Sequence, residues 1–128
     1  MRSANVETLK QGYQALNRGD LSGVRALLHP DIEWQEGPGA PEGGIHHGRD
    51  SFEGFLQNWL ESFDAFRIEP EKILEHENLL IALVRQTGTG RASGIEVEAR
   101  IAHVWTVENG QAVRWQSASR EDGLALVG

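Results

Sequence analysis

Cysteine is missing from all 128 residues, which excludes disulfides and thiolate chemistry and fits a reducing compartment. No apolar leader stands near Met1, so the expected location is the cytoplasm. Long hydrophobic runs are lacking too. The longest, residues 79–84, is far too short to cross a bilayer, and no membrane association is expected. Positive charge is scarce: Lys and Arg number 12 against 19 Asp and Glu, for a net charge of -7. The basic residues are scattered, so a phosphate backbone would be repelled and nucleic acid is not an expected partner. There is no Gly-rich phosphate loop, no Ser-His-Asp set and no cofactor lysine, and no cofactor is expected.

What is present suffices for a core. With 39% apolar residues, the chain fits one compact domain over residues 1–128. Val6, Leu9, Tyr13 and Leu16 recur at helical spacing, predicting a helix over residues 5–17 that stops at Gly19. Leu21, Val24, Leu27 and Leu28 repeat the pattern in a shorter helix capped by Asp20 and stopped before Pro30. A strand through Ile32, Glu33 and Trp34 then leads into a Gly- and Pro-rich loop at residues 37–44. Phe52, Phe55, Leu56, Trp59, Leu60 and Phe63 define a third amphipathic helix.

After Phe66 the period changes to two. One strand carries Pro70, which demands an edge or a bulge, and the apolar run 79–84 reads as a strand covered on both faces. A long strand follows, with Ile95, Val97, Ala99, Ile101, His103, Trp105 and Val107 on one face. Glu96, Glu98, Arg100, Ala102, Val104 and Thr106 take the other. Asn109-Gly110 signals a hairpin into a last strand and a short terminal helix. Helices followed by a meander make the fold class α+β.

The run from Tyr13 to Trp34, the strand Glu98 to Trp105, the Asn109-Gly110 turn and the terminal helix, in that order, resemble the SnoaL-like proteins. These belong to the superfamily of nuclear transport factor 2 and ketosteroid isomerase. The resemblance implies a cone of N-terminal helices packed on a strongly curved, mainly antiparallel sheet, with a small-molecule pocket at its open end. By position it puts Tyr13 at an oxyanion-binding tyrosine and Glu36, or Gln35 after a one-residue slip, at the catalytic base. Ala102 falls at a second oxyanion acid. Alanine cannot donate a proton, which counts against steroid isomerisation and, at the same position, against epoxide hydrolysis. Arg100, on the face of Ala102, is the candidate replacement partner for a developing oxyanion. Each residue also has a structural reading: Tyr13 as a core aromatic, Glu36 as a solvated strand-end acid, Arg100 as the ion-pair partner of Glu96 or Glu98.

Trp34, Trp59, Phe63, Trp115 and Ser117, with Ala102, are the expected ligand-binding residues, the aromatics walling a flat apolar ligand. Adjacent His46 and His47 point apart in an extended chain and stand near no acid triplet, so no metal is expected there. The face of Ile95, Val97, Ile101, His103 and Trp105, opposite Arg100, is the expected homodimer surface. A one-residue change of register would exchange the pocket and dimer faces. The leading expectation is a cofactor-free isomerase, cyclase or hydratase acting by proton transfer on a small apolar carbonyl or ring compound. Its rival is a dimeric ligand-binding or accessory domain without turnover. A protein-interaction adaptor has less support.

Overall fold

The computed structural model describes residues 3–36 and 44–127, so most of the loop expected at 37–44 lies outside the described residues. Helix α1, Ala4–Asn17, is capped by Ser3, whose hydroxyl accepts from the Val6 N–H at 3.1 Å. Its buried face carries Leu9, Tyr13 and Leu16. Asn17, one turn after Tyr13, accepts from the Ile68 N–H at 2.8 Å and donates to the Ile68 carbonyl at 3.0 Å. That double bond fixes the helix against the sheet and so places the Tyr13 ring. Helix α2, Leu21–Arg25, is capped by Asp20 as expected but ends early. Strand β1, Leu28–Gln35, begins where a helical turn was expected, because the Ala112 N–H donates to the Leu27 carbonyl and draws the chain into the sheet. Pro30 lies in a register break between Leu28 and Glu33, where a missing N–H costs no ladder bond.

Strand β2, His46–His47, pairs with the far edge of β1. Helix α3, Arg49–Ser62, is tied to α2 by Arg25, which reaches both Asp50 and Glu53 at 2.6 Å. Phe63, expected to end this helix, instead opens strand β3, Phe63–His76. Strands β4, Leu79–Gly90, β5, Glu96–Glu108, and β6, Gln111–Ala118, complete the meander. The six-stranded order is β2-β1-β6-β5-β4-β3, antiparallel throughout except between β1 and β6. Pro70 sits on the edge strand β3 beside a bulge, satisfying both conditions its ring imposes. Asn109 and Gly110 supply positive φ values of 52° and 77°, the pair a tight hairpin needs. Helix α4, Arg120–Ala125, capped by Ser119, ends the described chain. The expected α+β architecture, helices packed on a curved and mainly antiparallel sheet, is what the chain adopts.

The register of β4 on β5 decides where the site lies. Leu80 opposes Trp105, Ala82 opposes His103 and Val84 opposes Ile101, and this inner face packs beneath α1 and α3. Ile81 opposes Val104 and Leu83 opposes Ala102 on the outer face, which α4 covers. Ile32, Ile68, Leu80 and Ile81 are fully buried, each stabilising the fold by roughly 1.5–3 kcal/mol. A Cβ on Gly123 would stand 2.6 Å from the Ala102 Cβ, so only glycine lets α4 lie this close.

This arrangement reverses the expected use of β5. Ala102 faces α4 and not the interior, while His103 and Trp105, expected at a dimer surface, are buried inside the protomer. Ile95 and Val97 are exposed at the other end of the strand, so the face expected to dimerise is not one continuous free surface. The reason is solvation. Glu96, Glu98 and Arg100 share their side of the strand with Ala102, and three charges in a row are cheapest to keep in water.

Candidate functional site

Between α1, α3 and the inner face of the sheet is a cavity in which the centre of a water molecule can range over about 60 Å³. One water needs only on the order of 10–15 Å³ of such space, so the cavity has room for a few waters or a single small ring. Leu9, Leu16, Phe52, Leu56 and Val107 make most of the wall apolar. Trp59 from α3 and Trp115 from β6 provide flat faces, and Tyr13, His103 and Trp105 bring polar atoms together at one side.

These three form a buried chain. The Trp105 indole N–H donates to the Tyr13 hydroxyl at 3.0 Å, and that hydroxyl lies 2.9 Å from His103 Nδ1. The Tyr13 and His103 rings stack at 6.0 Å, with the Trp105 ring edge-on to both. His103 is 2% exposed, and its Nε2 has no hydrogen-bond partner among the described residues. Burial pushes the His103 imidazole down from 6.5 to about 3, so the ring is neutral at ordinary pH. Burial also pushes the Tyr13 hydroxyl well above its usual range, against a smaller opposing effect of the Trp105 bond. The site therefore presents neutral dipoles and no charge. No Asp or Glu lines the cavity among the described residues.

The residues singled out in the sequence divide cleanly. Tyr13, Trp59 and Trp115 line the cavity. Trp34 stands behind it, stacked on His46 at 4.3 Å and on Phe55 at 4.8 Å, with its indole N–H donated to Ser51. With Glu33, Gln35 and Arg114 it lines a separate, more polar groove that also meets Trp115. Glu36 follows that groove at the end of β1, half-buried and outside the cavity lining. Ser117, paired with His103, shares the inner face but lies outside the lining. Phe63 packs on Phe66.

Arg100 is on the outer face, largely exposed and 3.3 Å from Glu98, which also binds Arg85 at 3.2 Å. It does not reach the cavity or Glu36, and its ion pair with Glu98 is the structural alternative read from the sequence. His47 lies 3.6 Å from Glu33, whose carboxyl is held below its usual range chiefly by Arg114. No group of three His, Asp or Glu side chains among the described residues is placed to hold a metal.

His103 and Trp105 are the site residues that sequence reading placed on the wrong face. The available signal was the apolar alternation of Ile101, Trp105 and Val107 around a single histidine, continuous across β4 with the run 79–84.

Residues 9–115 match the family model of the SnoaL-like domain. The chain belongs to the SnoaL-like family. The match begins at Leu9, within α1, and ends at Trp115, within β6, and so takes in most of the cavity lining. Among solved structures, an NTF2-like protein of unknown function from Burkholderia pseudomallei is 28% identical, with TM-score 0.79 over 98% of this chain and 96% of its own. An NTF2-like protein from Burkholderia thailandensis is 27% identical, with TM-score 0.78 over 98% and 97%. TerC, crystallised with polyporic acid, shares the fold at 22% identity and TM-score 0.79 over 97% of each chain. No curated protein matches the chain. Among the described residues of this SnoaL-like chain, no helix is long and apolar enough to cross a membrane.

Proposed function

We propose that this SnoaL-like protein binds a small, mostly apolar ring or carbonyl compound in the cavity between α1, α3 and the sheet, with its one polar atom at His103 Nε2. The observation that carries this reading is the buried, unpartnered Nε2 of His103, a residue lining a mostly apolar pocket whose other polar side chains include Asn5 and Thr8 of α1. A polar atom left unpaired at that depth costs about 1–3 kcal/mol, which a ligand atom hydrogen-bonded there would recover. Cavity size favours a single ring over a fused four-ring skeleton. The matching reaction class is cofactor-free proton transfer, in isomerisation, cyclisation or hydration. His103 takes the oxygen-binding role expected of Arg100, with Tyr13 acting through it. The carbon-bound proton needs a base, and Glu36 is the carboxylate that the family pattern offers for it.

Binding without turnover is a second reading, favoured by the lack of any carboxylate in the described lining, from which Glu36 is absent. Exchange of the α-protons of cyclohexanone in heavy water, followed by proton NMR, separates the two. Exchange accelerated by the protein and lost in Glu36→Gln supports proton transfer. Binding seen by tryptophan fluorescence with no acceleration supports the ligand-binding role. No binding of cyclohexanone or of a panel of small aromatic ketones removes both.

A further inference from the structure

Trp105 touches the cavity, but its indole N–H is spent on Tyr13, and the consequence reaches the unpaired nitrogen of His103. An indole N–H can only donate, so the Tyr13 oxygen must accept from it. The hydroxyl has one proton, and among the described residues its other hydrogen-bond partner is His103 Nδ1 at 2.9 Å. If Tyr13 donates there, every polar atom of Tyr13 and Trp105 is satisfied and a single group, Nε2, is left over. If instead Nδ1 carried the proton and donated to Tyr13, the hydroxyl hydrogen would have no acceptor and Nε2 would still be unpaired. The second arrangement orphans one more buried group, and a net hydrogen bond of this kind corresponds to about a tenfold population difference.

We infer that Trp105, through Tyr13, locks His103 in the tautomer protonated at Nε2, so that His103 offers a ligand in the cavity a neutral hydrogen-bond donor and not an acceptor, and favours ligands presenting a neutral acceptor, a carbonyl oxygen. This deepens the proposed function and rests on it for the ligand, though not for the tautomer. Trp105 is the positioning residue. His103 polarises a carbonyl and stabilises charge gathering on its oxygen, and it does not serve as the base, because its only lone pair is already taken by Tyr13. A ligand whose polar atom only donates, or one that carries an ammonium group, would meet a like donor in an apolar wall and be rejected.

Nitrogen-15 NMR of the histidine ring in the full ligand-free chain reads the tautomer directly. The expected spectrum shows Nε2 protonated and Nδ1 bare, with the other tautomer at least about tenfold less populated. Site-specific replacement of Trp105 by its benzothienyl isostere keeps the ring shape and deletes the N–H. It is expected to bring the two tautomers to within about threefold of each other, the Tyr13 oxygen then being free to accept from His103. Tyr13→Phe is expected to abolish the preference as well. A wild-type ring protonated at Nδ1, or an isostere variant with an unchanged tautomer ratio, overturns the lock. Cyclohexanone is then titrated against methylenecyclohexane, the same ring without the oxygen. A shift of the Nε2–H proton with the ketone alone supports carbonyl selection. Equal shifts, or none with the tautomer intact, overturn the ligand claim while leaving the tautomer standing, so the failures are distinguishable.

Discussion

The two faces of β5 hang from one backbone and have opposite chemistry. Inward, Ile101, His103, Trp105 and Val107 meet the helices, and their polar atoms are neutral and bonded to one another or left for a ligand. Outward, Glu98 and Arg100 sit in water as an ion pair, and Ala102 and Val104 close against α4 and its neighbours. A fixed charge inside the inner cavity would have to be paired or expelled, whereas a neutral histidine buried there needs only hydrogen bonds. Charge placement is thus a better guide to which face is interior than correspondence of position with a relative whose residues differ.

The most severe way to break the contrast is to put a carboxylate where the family pattern expects one. Ala102→Asp would force a charge beneath α4, where the Ala102 Cβ already stands too near Gly123 for another methyl group. The expected loss is roughly 4 kcal/mol or more, or undocking of α4, measured by urea unfolding. A stable variant that gained ketone-exchange activity would put position 102 in the pocket and reverse the two faces.

Tyr13→Phe removes the centre of the inner network and leaves the Trp105 N–H and His103 Nδ1 unpaired. About 2–4 kcal/mol of destabilisation is expected, against little change in Tyr13→Phe if the ring is merely a packing group. Acid sharpens the same point. The folded His103 imidazole titrates at about 3 and its unfolded counterpart near 6.5, so the unfolded state takes up protons first and stability falls as pH drops below 6.5. Between about pH 7.5 and about pH 5 the expected loss is on the order of 2 kcal/mol, before the lowered carboxyls of Glu33, Glu71 and Glu98 begin to protonate. His103→Phe should flatten that slope in unfolding curves taken across the range, and an unflattened slope would deny His103 its neutral burial. On the outer face, Arg100→Ala should cost no more than about 0.5 kcal/mol and leave ketone binding unchanged, since the ion pair it loses is exposed.

Much of this was legible in the sequence. The helical stripe Leu9, Tyr13 and Leu16, the doubly covered run 79–84, the edge position forced by Pro70 and the Asn109-Gly110 turn each carry a local physical signal, and each stands where that signal puts it. The faces of β5 did not follow as easily. Period two gives two alternating sets but does not say which is inside, and mapping Ala102 onto a missing acid chose the set containing Arg100. Three charges among Glu96, Glu98 and Arg100 argued the other way. Leu28 and Phe63 were misplaced by long-range pairing that no local pattern encodes, the bond of Leu27 to Ala112 and the register of Phe63 on Gly90.

The account turns on the inner cavity being the ligand site, and a high-resolution crystal structure of protein soaked in cyclohexanone tests that most directly. The expected density lies between Trp59, Trp115 and α1, with the carbonyl oxygen about 3 Å from His103 Nε2. Ligand found instead beside Arg100 on the outer face, or in the groove of Glu33 and Arg114 with the cavity closed by side chains, would contradict it.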